Sequence, residues 1–164
     1  MKCLNLLKLT VLSLLFCMLS GCGPVPDTQL TSSQKTSDVA EKTYCPVGVE
    51  IMPLTEIVKS GKTSKIKAYI CLLDKYDSQI KYPGVFRFEL YQKVQYSGQP
   101  KGKRLHLWPD FNLTEAAYNN KFWQDTFRAY KFELDIQIQP GISYVLQTTC
   151  ILPNGRRLTS EIGL

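Results

Sequence analysis

The sequence predicts an all-β domain: an antiparallel two-sheet β-sandwich, immunoglobulin-like or prealbumin-like, with one short helical insert, and a small barrel is the alternative. Three observations predict this class. Apolar and polar residues alternate in several short runs, turn residues separate those runs at frequent intervals, and only one stretch is rich in helix formers. The predicted domain covers residues 44–164, because the composition before Tyr44 differs in kind.

Seven strands are predicted, and the alternation within each defines one face for the core and one for solvent. The alternating runs cover residues 47–52, 66–73, 85–96, 104–108, 130–138, 142–151 and 156–164. Pro153-Asn154-Gly155 separates the last two runs, and Asn-Gly between alternating runs is a strong hairpin signal. We expect the last strand to reach the C-terminus, so that deletion of residues 162–164 destabilises the domain.

The helical insert is predicted between Asn112 and Phe127. Asn112 stands three residues before Glu115, which is a capping-box spacing, and Ala116 and Ala117 are good helix formers. Such a helix would connect two strands across one end of the sandwich.

The N-terminus carries a targeting signal. Lys2 and Lys8 are followed by an apolar run of eleven residues, Leu9 to Leu19, which is shorter than the roughly 20 residues of a transmembrane helix. A basic start, a short apolar core and small residues are typical of a secretory signal peptide, here residues 1–21. The tetrad Leu19-Ser20-Gly21-Cys22 resembles the bacterial lipobox.

The lipobox resemblance implies a lipid anchor. In bacterial lipoproteins the matching cysteine, here Cys22, carries diacylglycerol, the chain is cut before it, and a fatty acid such as palmitate is added to the new amino group. An aspartate after the cysteine favours retention in the inner membrane, and this chain has Gly23 there, so the resemblance favours the outer membrane. Residues 22–43 are rich in Pro, Thr, Ser and Gln and are predicted to form a flexible tether.

The charge distribution does not favour nucleic-acid binding. Cleavage before Cys22 would leave 18 basic and 14 acidic residues. The basic residues are scattered and form no extended patch. We therefore expect the membrane, reached through the anchor, and an envelope protein or glycan as partners, and no nucleic acid.

No catalytic or metal-binding pattern stands above background. His106 is the one histidine of the chain, and one histidine cannot build a catalytic triad or a multi-histidine metal site. The loop carboxylates Asp74, Asp77 and Asp110 are too few for a calcium site, and Asp74 and Asp77 are typical turn residues. The sequence therefore predicts a protein that is not an enzyme, with no catalytic residue, no metal and no cofactor.

Three cysteines fall in the predicted domain: Cys45, Cys71 and Cys150. In an oxidising compartment three thiols favour one disulfide and one remaining thiol. Cys71 and Cys150 lie inside predicted strands and form the preferred pair. The alternative is three buried thiols that act as small apolar side chains.

Aromatic residues cluster around the helical insert, among them Trp108, Trp123 and Tyr118. In sandwiches such residues often close the core at one end. If they are exposed instead, they would form a partner surface, and the insert is where we would look first for one.

A second resemblance covers most of the predicted domain. Residues 81–91, with Gly102, Trp108, Trp123 and the Pro-Asn-Gly turn, resemble small uncharacterised envelope lipoproteins of planctomycete-type bacteria. That group brings no activity with it. The sequence thus predicts a lipid-anchored cell-envelope protein whose non-enzymatic sandwich binds or organises another envelope component. The alternatives are a module that binds a small molecule or glycan and, less favoured, an enzyme acting on glycans.

Overall fold

The two sheets of the domain are defined in a computed structural model that describes residues 44–60, 63–94, 98 and 100–164. The signal peptide, the lipidation site Cys22 and the tether predicted for residues 22–43 lie outside the described residues.

The described residues contain eleven strands and one helix. The first sheet contains β1 (Gly48–Ile51), β2 (Glu56–Ser60), β3 (Thr63–Leu73), β4 (Gln79–Ile80), β8 (Trp123–Gln124) and β9 (Ala129–Ile136). The second contains β5 (Val85–Lys93), β6 (Lys101–Leu107), β7 (Phe111–Asn112), β10 (Tyr144–Ile151) and β11 (Arg157–Gly163). The helix α1 spans Ala116–Phe122.

The strand order is that of an immunoglobulin-like sandwich. The first sheet has the order β1-β3-β9-β8, with β2 and β4 also paired to β3, and the second has the order β11-β10-β5-β6, with β7 paired to β5. All pairs are antiparallel. Of the seven strands that correspond to the predicted runs, the first, second and fifth form one sheet and the others form the second, which is the immunoglobulin arrangement with an added edge strand, β6. The predicted sandwich is therefore confirmed.

A tyrosine at the start of β10 supports this assignment. The Tyr144 hydroxyl accepts a hydrogen bond from the backbone N–H of Gln139, five residues upstream, at 2.8 Å. The same contact, known as a tyrosine corner, marks the equivalent strand start of immunoglobulin-like domains. It fixes the loop that joins the first sheet to the second.

The core lies between the sheets and uses the apolar faces that the sequence predicts. Alternate residues of β3, β5 and β9 point inward because side chains on a strand alternate between its two faces. Among the residues of these strands that are at most 1% exposed are Ile66, Ala68, Ile70, Phe86, Phe88, Phe132 and Leu134. The Phe132 ring contacts the rings of Phe86 and Phe88, with centroids 5.3 and 4.8 Å apart.

All seven predicted strands are present, with shifted ends. β6 begins at Lys101, inside a stretch predicted as loop, because its Lys and Gly residues pair with β5 without being buried. The short strands β2, β4, β7 and β8 were not predicted. Each has only two to five residues and pairs with part of a longer strand, so it carries too little alternation to be recognised.

The predicted capping box is wrong. Asn112 belongs to β7, and its side-chain oxygen accepts hydrogen bonds from the backbone N–H and the hydroxyl of Thr114. The helix starts later, after Glu115, whose side chain makes no capping hydrogen bond. Strand pairing to Val85 holds Asn112 away from the helix start, so α1 is shorter than the predicted insert.

Candidate binding cleft

A cleft opens between the two sheets at one end of the sandwich. Its volume is about 840 Å³, which falls within the roughly 300–1,000 Å³ typical of ligand pockets. Its walls combine apolar and polar side chains, including Leu90, Leu105, His106, Ile136, Ile138 and Tyr144. The cleft therefore has the size and lining of a binding site.

One wall of the cleft is formed by apolar residues whose alternation continues past the end of β9. β9 ends at Ile136, opposite Ser64 near the start of β3. The alternation continues for two more residues, so Ile138 packs against the core although its backbone has left the sheet. Gln137 and Gln139, on the other parity, are exposed beside it. The result is an apolar wall that extends past the end of the first sheet.

Two unpaired strand edges border the cleft. Among the described strands β6 pairs only with β5, so its other edge has no strand neighbour. β8 pairs with β9 only at Ala129 and Tyr130, which leaves the rest of that β9 edge without a strand in the described part of the chain. Because residues of both strands line the cleft, these two edges lie on the same side of the sandwich.

Trp108 links the two sheets beside the cleft. Its indole Nε1–H donates a hydrogen bond to the backbone carbonyl of Asp135, on β9, at 2.9 Å. The ring is 7% exposed and belongs to the core. The His106 ring packs edge-on against it with centroids 4.6 Å apart. Trp108 is therefore a core residue and does not form the exposed partner surface that was one prediction for it.

Trp123 and Tyr118 lie at the other end of β9. Trp123 is half-buried, packs edge-on against Tyr130 and donates its indole N–H to the Asp125 carboxylate at 2.8 Å. Tyr118 is 40% exposed on α1. The two tryptophans are thus separated by the length of β9, and the structure does not bring Trp108, Trp123 and Tyr118 together into one surface.

β6 carries three exposed Lys and Arg side chains, and two of them are already paired. Lys101 contacts Glu161 at 2.9 Å, and Arg104 contacts Glu89 at 2.7 Å. The Glu89 carboxylate holds the pKa of Arg104 above its ordinary value through a hydrogen bond and charge attraction. Lys103 is exposed and has no carboxylate partner within the described ranges. It is the cation on this strand that remains open to a partner.

Carboxylates on the opposite wall are held by lysines. Lys65 lies 3.4 Å from Glu133 and 3.8 Å from Asp135. Hydrogen bonds from Lys131 and Lys65 lower the pKa of Glu133. Asp135 also lines the cleft, and the rest of the cleft lining is mainly apolar or uncharged polar.

The remaining loop carboxylates have structural roles. The side-chain oxygen of Asp74 accepts hydrogen bonds from the backbone N–H groups of Tyr76 and Ser78, which confirms its predicted role in a turn. Asp110 forms two hydrogen bonds with the Arg87 guanidinium, at 2.8 and 2.9 Å, and they lower its pKa. In the part of the chain that the structure describes, no group of three or more His, Cys, Asp or Glu side chains could hold a metal ion.

The three cysteines are free and buried. Cys150 belongs to the core, whereas Cys71 alternates with the core residues Ile70 and Leu72 and so lies on the opposite face of β3, where its thiol contacts the Glu50 carbonyl. The predicted disulfide between Cys71 and Cys150 is not formed, because one sheet separates the two thiols. Cys45 is buried near the β10–β11 turn, where the Asn154 amide contacts its sulfur at 3.7 Å.

The cleft is not predicted as a site from the sequence. Ile136 and Ile138 are predicted as core, and the signal for the wall is that their alternating run continues beyond Ile136, which pairs near the start of β3. His106 was predicted as an isolated histidine, and the structure places it at the cleft, exposed.

Comparison of the chain with models of protein families, with curated proteins and with solved structures found no match. No helix among the described residues is both long and apolar enough to span a bilayer.

Proposed function

We propose that this chain is a lipid-anchored cell-envelope protein whose sandwich domain, without catalysing a reaction, binds a protein component of the envelope at the cleft. One observation carries the proposal: the cleft lies between two strand edges, β6 and β9, that have no strand neighbour in the described part of the chain. Unpaired edges beside an apolar opening are a common means of protein recognition.

The position of the cleft relative to the start of the domain agrees with this role. Cys45 contacts Asn154, and the Val47 N–H donates to the Leu73 carbonyl at 2.8 Å, so the described chain begins at the end of the sandwich where β3 finishes. The cleft is lined by Thr63 and Ser64, at the opposite end of β3. An anchor that precedes the domain would thus attach at the end away from the cleft.

The anchor is tested separately. Mass spectrometry of the N-terminal peptide should show Cys22 carrying diacylglycerol and an amide-linked fatty acid, and Cys22→Ser should abolish both and release the protein from membranes. An unmodified Cys22 in the membrane fraction would contradict the anchor.

Partner binding is tested by crosslinking in cells. An affinity tag is inserted near Ser33, and a photo-crosslinking amino acid replaces Leu107, which is 47% exposed on β6. We expect one envelope protein to be recovered in near-equal amount. The matched control places the same amino acid at Tyr76, which is 66% exposed at the other end of the sandwich. Equal crosslinking from both positions, or recovery of the protein alone, would contradict the proposal.

A small-molecule or glycan-binding module is the second candidate, because the cleft volume of about 840 Å³ suits a drug-sized ligand. Under that function a soluble sugar or metabolite would raise the melting temperature in a saturable way, and Ile138→Lys, in the cleft wall, would abolish the shift.

A further inference from the structure

Resting on the proposed function, we infer that the partner contributes an extended peptide segment containing an acidic residue, which pairs with β6 as a further strand of the second sheet and places apolar side chains in the cleft.

The exposed leucines of β6 are the first argument. Edge strands usually discourage pairing by carrying charged residues or by being short. β6 does carry Lys101, Lys103 and Arg104, but it is seven residues long, and Leu105 and Leu107 are 37% and 47% exposed on it. An added strand would cover both leucines and give hydrogen-bond partners to backbone groups that now face solvent.

The irregular pairing of β6 supplies the second argument. Its register to β5 shifts twice, between Tyr91 and Lys93 and between Leu90 and Tyr91, and at the second of these places one residue of β6 has no partner on β5. That residue is Leu105, which lines the cleft next to His106. The shift therefore directs an apolar side chain of the edge strand to the mouth of the cleft, where a paired peptide would also insert its own side chains.

The charges on β6 indicate which kind of peptide segment would bind there. Glu161 already pairs with Lys101, and Glu89 pairs with Arg104. Lys103 has no carboxylate partner within the described ranges. A peptide strand lying along β6 would pass within reach of Lys103, and an acidic residue there would gain a cross-strand ion pair. A second copy of β6 would bring cations against cations, so charge favours a different chain as the occupant.

A peptide also fits better than a compact ligand. A small molecule could fill the cleft but would leave Leu107 uncovered, because Leu107 pairs with Glu89 on the outer face of the sheet and does not line the cleft. A strand on β6 covers both faces of the edge at once. Exposed leucines on both sides of the edge are thus explained by one occupant.

The test selects peptides from a phage-displayed library of random twelve-residue sequences on the full-length lipidated protein in detergent. We expect the selected peptides to combine alternating apolar residues with an acidic residue. Their affinity should fall roughly three- to tenfold with Lys103→Glu and recover when the acidic residue of the peptide is changed to lysine. Lys75→Glu reverses an exposed lysine at the other end of the sandwich and should leave binding unchanged.

Backbone methylation separates strand pairing from side-chain binding. Methylating the amide nitrogens of alternate peptide residues should abolish binding for one set and spare the other, since only alternate residues of a strand face its neighbour. Equal tolerance of both sets, binders that ignore Lys103→Glu, or no binder at all would overturn the inference. If the protein self-associates and Lys103→Glu changes that self-association, the inference would be overturned, and a second copy of this chain would be the occupant of the β6 edge.

The two proposals fail in different ways. If crosslinking at Leu107 recovers no partner in cells, the proposed function fails. If a partner is recovered but its binding survives Lys103→Glu, the proposed function stands and the strand inference fails. Melting temperatures of the variants provide the control for folding, and both substituted lysines are exposed.

Discussion

Two buried hydroxyls, on Tyr130 and Thr148, show how differently single polar groups can act in the same core. Both residues are fully buried. The Tyr130 oxygen lies 2.9 Å from both the N–H and the carbonyl of Tyr82 and 3.1 Å from the Asn119 side-chain oxygen. The Thr148 oxygen has no hydrogen-bond partner within the described part of the chain. A buried polar group is favourable only when it is paired, so the two should respond oppositely to removal.

Tyr130→Phe should destabilise the domain by about 0.5–1.5 kcal/mol, because it removes the hydroxyl that accepts a part-buried hydrogen bond from the Tyr82 backbone N–H. Asn119 would keep its own bonds to the carbonyls of Tyr82 and Leu113. The free energy of unfolding from urea titration measures the effect. A change below about 0.5 kcal/mol would show that the network contributes little.

Thr148→Val should leave stability unchanged or raise it by up to about 1 kcal/mol, since it replaces an unpaired hydroxyl by a methyl group of similar shape. The same urea titration tests it. Thr149→Val is the control, because the Thr149 hydroxyl contacts Thr159 on the outer face and is already exposed to solvent. A loss of more than 1 kcal/mol for Thr148→Val would mean that the hydroxyl is paired after all.

At the scale of elements, β11 completes the second sheet through its last residues. Leu164 exchanges two backbone hydrogen bonds with Tyr144, at 2.8 and 3.1 Å, and Ile162 and Leu164 pack against the core. The prediction from sequence that the C-terminal residues are structural therefore has a physical basis in the structure.

Deletion of residues 162–164 should lower the free energy of unfolding by about 2–4 kcal/mol, from the loss of two apolar side chains and of the backbone pairing between residues 162–164 and residues 144–146. Glu161→Gln is the matched control: it keeps the strand and removes only an exposed ion pair with Lys101, worth less than about 1 kcal/mol. Thermal unfolding of both variants would decide, and an unchanged transition in the truncated protein would refute the role of these residues.

Some elements of the fold can be predicted from the sequence and others cannot. The long strands were predicted because alternate burial leaves a pattern of period two, as in Tyr130 to Ile136. The start of α1 is not predicted, because Asn112 can either cap a helix or pair in a strand. Its pairing with Val85, which is distant in sequence, determines that it belongs to a strand. The cleft depends on the relative lengths of β3 and β9 and on a register shift beside Leu105, which are properties of pairs of strands that a single run cannot show.

At the scale of the whole molecule, the fold encloses its thiols. Cys71 and Cys150 are at most 1% exposed. Burial raises the pKa of Cys150 to about 12 and also raises that of Cys71. Only the thiolate reacts readily with alkylating agents, so at pH 8 the folded protein holds Cys150 almost entirely in its unreactive form.

Iodoacetamide at pH 8 should therefore label Cys71 and Cys150 only as fast as the domain unfolds, and the rate should rise steeply through the urea transition. Mass spectrometry of the labelled peptides gives the rate for each site, and fully unfolded protein provides the reference. Rapid labelling without urea would contradict the burial, and failure of the unfolded, unreduced protein to label would reveal the disulfide that the structure does not form.

The separation of the cleft from the start of the domain has a mechanical consequence. β3 runs its eleven residues from Thr63, at the cleft, to Leu73, beside the start of the described chain; at about 3.3 Å per residue that is roughly 35 Å. If the proposed anchor and the proposed partner on β6 are both attached, tension between them would act along the strands. The backbone hydrogen bonds between several pairs of strands would then bear the force together, in shear, and would not open one after another. Such a domain would resist pulling as a stiff link, and the lifetime of the attachment under force would be governed by its unfolding rate.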